Sequence, residues 1–290
     1  MGDTNLLGVH ALVWVGETSP AALEFAIART VAAGFDLLEL SVHDSVDLDA
    51  EGTRIALEQA GLAVACSRGL SFDADISSSD ADVVARGEKL LVDSLELTHA
   101  LGGTILTGAL YSALGKYAAP LTPAGRANVV AVLGSLAERA RELGMTLGLE
   151  ICNRYETNVI NTAHDALRLA DDIGQDNVLI HLDSYHMNIE ESDFAGPVRE
   201  VGDRLGYVHI GENHRGYLGS GHIAFDSFFD ALAAVGYAGP ITFESFSSAV
   251  VMPGLSADLA IWRNLWDDQV DLAQHARQFM ADQLQRTQGS

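Results

Sequence analysis

Four residues stand in surroundings that do not suit them. Glu150 ends the apolar run TLGLE, Asp183 ends VLIHLD, His209 lies in LGYVHI, and Glu244 follows PITF. A charged group at the end of an apolar strand is costly unless it is paired or holds a ligand. The four are spaced at about one strand-plus-helix unit each, so on adjacent parallel strands they converge on one point. Three carboxylates and an imidazole around one point repel each other without a cation. An oxygen-rich donor set with one nitrogen suits Mn²⁺, Mg²⁺ or Co²⁺ better than a structural zinc. Any one of the four reads equally as a capping carboxylate or a buried histidine. All four in register point to a single divalent metal site.

Other polar residues follow the same strands. Glu156 comes six residues after Glu150, His186 three after Asp183, and Arg215 six after His209. All three can reach over the metal towards hydroxyl or carbonyl oxygens. Surface ion pairs for Glu156 and Arg215, and a packed loop histidine for His186, are the plainer alternatives. His181, two residues before Asp183, points to the same side but deeper, as a partner of the ligands or as core. Cys66 ends a strand and is placed to line a pocket, but no base lies near it in sequence to make it a nucleophile.

The elements that must position these residues recur along the chain. Apolar runs rich in Val, Ile and Leu fall at 5–13, 36–42, 62–68, 104–110, 146–152, 178–184, 205–211 and 240–246. Nearly continuous apolar runs are the mark of parallel strands covered on both faces. Between them lie helical patterns. Ser19-Pro20 reads as an N-cap followed by proline at the first helical position, with Leu23, Ile27 and Val31 as the buried stripe. Thr122-Pro123, Thr162 and Asp226 read as further helix starts. Gly34, Gly61, Gly102, Gly144 and Gly236 read as left-handed stops. Eight such units predict an α/β fold, a TIM (β/α)8 barrel in one domain over residues 1–290. The longer stretches 69–80 and 111–121 are expected as loops over the C-terminal mouth. The last helical stretch, 255–286, carries Trp262, Leu265, Trp266, Val270 and Phe279, and is expected to pack on the barrel or in a subunit contact.

Composition bounds the remaining possibilities. Of the 290 residues, 48% are hydrophobic and 20% charged, which allows a large core. Forty acidic against 17 basic residues give a net charge of −23. Such a surface repels phosphate backbones and anionic lipid, so neither a nucleic-acid nor a membrane partner is expected. No apolar run reaches the roughly 18 residues of a membrane span. The first residues lack a basic region, and the two cysteines cannot form a disulfide framework, so a cytoplasmic location is expected.

The stretches GLEICNRYETNVINT (148–162), HLDSYHMNIEE (181–191), HIGENHRGYLGSG (209–221) and FESFS (243–247) together resemble the ketose 3-epimerases. These are the D-tagatose, D-psicose (D-allulose) and L-ribulose 3-epimerases, within the xylose-isomerase-like barrels. The resemblance is dense in the second half, and the βα rhythm extends it over nearly the whole chain. It implies that Glu150, Asp183, His209 and Glu244 bind one divalent metal, Mn²⁺ above Mg²⁺ or Co²⁺. It implies that Glu156, His186 and Arg215 bind a small ketose near O1 to O3. Trp14, Cys66, Leu110, Phe246 and Tyr111 are placed to form the rest of the sugar pocket. His10 stands where members often carry an aromatic residue, and the fourth loop reads GALYSALGKY without a Trp. These departures face the C4–C6 end of the sugar, so the resemblance leaves the preferred ketose open. A homodimer or homotetramer is expected.

Epimerisation at C3 removes a proton beside a carbonyl and returns one to the other face. Glu150 and Glu244, from strands five and eight, are placed to flank the substrate as paired base and acid, through a cis-enediolate. No organic cofactor is needed. An aldose–ketose isomerase or an inosose dehydratase-like enzyme would share the metal and differ in the carbon that loses its proton. A non-catalytic sugar-binding barrel would dispense with one of the two facing carboxylates, and both are present. A nuclease of the same superfamily would need more histidines and a basic groove.

Overall fold

A computed structural model describes residues 5–43 and 48–289. Eight parallel strands close into a barrel in sequence order. They are β1 (Leu7–His10), β2 (Leu37–Ser41), β3 (Ala63–Ser67), β4 (Ile105–Gly108), β5 (Thr146–Glu150), β6 (Val178–Asp183), β7 (Leu205–Ile210) and β8 (Ile241–Phe243). Every strand lies within an expected apolar run but is shorter at one or both ends. Residues 11–13, expected as strand, form a 3-10 turn. The helices are α1 (Pro20–Ala32), α2 (Ala50–Ala60), α3 (Ala81–Ala100), α4 (Pro123–Glu142), α5 (Ala163–Ile173), α6 (Ser184–Glu190), α7 (Ala195–Val201), α8 (Phe225–Ala234), α9 (Pro253–Asp258) and α10 (Gln269–Gln288). None of the described helices is long and apolar enough to cross a membrane.

The local signals explain most helix ends. Ser19, Thr122 and Thr162 each accept a backbone N–H of the first turn, and Pro20 and Pro123 follow the first two directly. Gly34, Gly61, Gly102, Gly144 and Gly236 all take positive φ where the chain leaves a helix. Two expectations need correction. Asp226 does not start α8: the helix begins at Phe225 after Ala224, without a side-chain cap. Val31 is not on the buried stripe of α1 and is 46% exposed. Each four-residue step overshoots a full turn by about 40°, so Leu23 and Ile27 face inward with Ala26 and Thr30, and Val31 rotates out.

Alternation along the strands sorts side chains between the lumen and the helical shell. Leu37, Ala65 and Tyr207 form a small apolar cluster of their own, apart from the larger cluster that holds most helix-facing residues. Above them in the lumen the inward positions turn polar. Space there is tight: a Cβ on Gly148 would lie 2.4 Å from Thr107 Oγ1. The segments 69–80 and 111–121 carry only one short 3-10 turn (Phe72–Ala74). They are tied together by a Leu70–Ala113 bridge and by Tyr117 Oη donating to Asp75 at 2.5 Å.

The segment after β8 is not one helix. α9 ends at Asp258, residues 259–268 are irregular, and α10 restarts with Asp268 as its cap. Trp266 is buried, and Leu265, Val270 and Phe279 pack partly buried against the main core. Trp262 is 75% exposed.

Candidate active site

Each of the four acidic or imidazole residues first singled out arrives at the C-terminal ends of the strands. Glu150 and Asp183 are the last residues of β5 and β6, His209 is next to last in β7, and Glu244 directly follows β8. One donor atom from each lies within 4.8 Å of the others, and all four side chains are almost wholly buried. His209 Nδ1 is 3.4 Å from Glu150 Oε1, 3.5 Å from Glu244 Oε1 and 4.0 Å from Asp183 Oδ2. That nitrogen is fully buried and has no hydrogen-bond partner among the described residues. A buried, unpartnered imidazole nitrogen facing three carboxylates is a donor set that fits a divalent cation.

Asp183 shows how local structure fixes the set. It is the N-cap of α6: its Oδ1 accepts the N–H of Tyr185 at 2.6 Å, which leaves Oδ2 turned towards the cluster. The same helix start brings in His186. Its Nδ1 accepts from Asn153 N at 3.1 Å and faces Asn153 Nδ2 at 2.9 Å, so the other nitrogen carries the proton. That Nε2 lies 3.7 Å from Asp183, 3.8 Å from Glu150 and 4.0 Å from Glu156. Glu156 accepts from Asn153 Nδ2 at 2.8 Å.

Arg215 closes the group. Its Nη1 is 2.5 Å from Glu244 Oε2 and 3.5 Å from Asp183 Oδ2. Its guanidinium lies over the rings of Tyr185, at 3.9 Å, and Phe246, at 4.9 Å. The backbone that aims it is unusual, with φ +59° in a non-glycine residue. Ser245 Oγ donates to the Arg215 carbonyl at 2.5 Å, and Trp266 Nε1 donates to that same Ser245 oxygen at 2.8 Å. The C-terminal segment thus braces the arginine from behind.

The two facing glutamates differ electrostatically. Burial raises the pKa of Glu150, and the charge of Glu244 adds to this, against the pull of His209. Burial also pushes Glu244 upward, but the charges of Arg215, His209 and His10 overcome it and hold that carboxyl below its ordinary value.

Of the expected pocket residues, His10, Glu156, His186, Arg215 and Phe246 line the chamber with Glu150, His209 and Glu244. His10 is buried; its Nδ1 accepts from Leu12 N at 3.1 Å and its Nε2 is 3.2 Å from Ser67 Oγ. Cys66, Leu110, Trp14 and Tyr111 do not line it. Cys66 alternates with the inward-facing Ser67 and so points into the helical shell, where burial pushes its thiol up to about 12. Leu110 lies past the end of β4, fully buried in the main core. Trp14 follows the 3-10 turn and points back to α1, donating to Thr30 at 3.0 Å. Tyr111 supports the site from outside, donating to the Glu150 carbonyl at 2.6 Å. His181 sits beneath His209, ring against ring at 4.2 Å, with Nδ1 2.8 Å from Thr107 Oγ1.

Sequence reading missed Glu39. It lies in the middle of β2, wholly buried, with Oε2 2.7 Å from His209 Nε2. Burial opposes its ionisation, but the charges of His209 and His10 hold its pKa far below the usual carboxylate range. Its signal in the sequence is a lone charge inside LLELS, in mid-strand and not at a strand end.

A parallel barrel with this cluster at its mouth defines the class. The family model of the xylose isomerase-like TIM barrel matches residues 27–283. A ketose 3-epimerase of Arthrobacter globiformis is 48% identical over 96% of this chain and 96% of its own. An L-ribulose 3-epimerase of Methylomonas sp. (strain DH-1) is 48% identical over 94% and 96%. The crystal structure of a D-allulose 3-epimerase from Methylomonas sp. in complex with D-allulose superimposes with a TM-score of 0.95 at 47% identity, over 97% of this chain and 98% of that one. The chain belongs to the ketose 3-epimerase family of these barrels, and it is an enzyme of the isomerase class.

Proposed function

We propose that this enzyme epimerises free ketoses of the D-allulose/D-fructose, D-tagatose or L-ribulose type at C3, using a divalent cation held by Glu150, Asp183, His209 and Glu244. The observation that carries the reading is the gathering of these four donors within 4.8 Å, with the His209 nitrogen unpartnered among them. A cation of the Mn²⁺, Mg²⁺ or Co²⁺ type supplies charge neutralisation and polarisation of the sugar oxygens there. The rest falls to the chain's own side chains. Glu150 and Glu244 come from β5 and β8, with two strands between them, and so approach a bound sugar from different sides. One takes the C3 proton, the other returns a proton to the opposite face, and the roles exchange with the entering epimer. His186 Nε2–H and the Arg215 guanidinium stabilise the charge that develops on O2, and Glu156 orients O1. His10, beside Ser67, meets the far end of the sugar.

Turnover of D-fructose, D-tagatose or L-ribulose in D2O with Mn²⁺ tests the reading. Deuterium is expected at C3 of the product. Deuterium at C1 instead would establish aldose–ketose isomerisation and end the C3 assignment.

A further inference from the structure

Glu39 lies below the ligand cluster, on the side of the barrel that contributes none of the four donors. Its register partner on β1 is His10. Its Oε2 accepts from Tyr207 Oη at 2.9 Å and meets His209 Nε2 at 2.7 Å, while Oε1 is 3.5 Å from His10 Nε2. Tyr207 is itself held at 2.7 Å by Thr242. The carboxylate is therefore held through Oε2 by two residues of β7, with His10 of β1 facing Oε1.

An imidazole carries one proton when neutral, and the partner of one nitrogen decides which nitrogen has it. With Glu39 accepting at Nε2, the proton sits there and the lone pair is left on Nδ1. That is the nitrogen facing Glu150, Glu244 and Asp183 without a partner of its own. We infer that Glu39 is a positioning residue: it sets the tautomer and ring direction of His209 so that Nδ1 serves as a metal ligand. Its charge also makes His209 a better donor than an imidazole hydrogen-bonded to a neutral group. This rests on the cation site proposed above.

The test is Mn²⁺ affinity, read from the electron paramagnetic resonance of the free ion, for wild type, Glu39→Gln and Glu39→Ala, each checked for folding by circular dichroism. Glu39→Gln keeps an acceptor oxygen and removes the charge, so a loss of about tenfold is expected; Glu39→Ala removes both, for about a hundredfold. The Nε2–H of His209 in ¹H–¹⁵N spectra of the Mg²⁺-loaded protein supplies a readout that mere packing would not move. Its proton should lie far downfield in wild type, where it is shared with a carboxylate, and should move upfield with faster solvent exchange in Glu39→Ala. Variants that bind Mn²⁺ within twofold of wild type would overturn the inference and leave the metal site standing. Lost affinity with the shift and exchange of that Nε2–H unchanged in Glu39→Ala would overturn the positioning role. A wild-type protein that binds no Mn²⁺ would overturn both this inference and the reading beneath it.

Discussion

Strands β5 to β8 bring Glu150, Asp183, His209 and Glu244 within 4.8 Å of one another, and the loops after them add Glu156 and Arg215. Strands β1 to β4 reach the same chamber with His10, Ser67 and Gly108, and among the described residues no acidic residue from that arc lines it. Its one buried acid in the lumen, Glu39, lies below and bonds to His209 across the barrel. The difference separates two tasks that a barrel can distribute around its rim. One arc concentrates the charged groups, while the other shapes the space and meets one of them, His209, from below. Chemistry should therefore be lost by substitutions on the first arc, and preference or affinity altered by substitutions on the second.

The comparison breaks if the large effects fall on the wrong side. Glu150→Gln and Glu244→Gln should each lower kcat by about a thousandfold or more while circular dichroism stays native, since a positioned acid or base contributes roughly 10² to 10⁴; near-normal turnover by either would dissolve the two-base scheme. Leu133→Ala, wholly buried in α4, should cost about 3 kcal/mol in denaturant unfolding and leave the kcat of folded enzyme unchanged. Saturating the wild type with Mn²⁺ at about a hundred times its Kd should add about 2.7 kcal/mol of stability, an increment that Glu244→Gln should largely lose. Arg215→Lys keeps a cation near Glu244 but loses the planar stack on Tyr185 and Phe246, so kcat/KM should fall about tenfold. Cys66→Ala should be the mildest, costing about 1 kcal/mol of stability with kcat/KM within twofold, because the thiol faces the shell and not the sugar.

The sequence shows the barrel clearly because each strand is an apolar run and most helices carry their own start and stop, as Ser19-Pro20 and Gly61 do. It shows the charged cluster because a carboxylate ending such a run is conspicuous. Three limits are physical. Strand parity decided Cys66, since one step along β3 exchanges lumen for shell. Chain geometry beyond a strand decided Leu110 and Trp14, because β4 ends at Gly108 and β1 gives way to a 3-10 turn, after which alternation no longer applies. Contact across the barrel decided Glu39, whose partner His209 is 170 residues away and leaves no local trace.

The handedness of Arg215 has a cost for anyone who would make this enzyme sturdier. Its φ of +59° is comfortable for glycine and strains a residue with a Cβ by about 1–2 kcal/mol. Glycine at this position would relax the loop but leave the buried carboxylates of Glu244 and Asp183 without their paired cation, a loss of about 3–5 kcal/mol that outweighs the strain relieved. The usual remedy for a left-handed residue, exchange for glycine, is therefore expected to lower the melting temperature here.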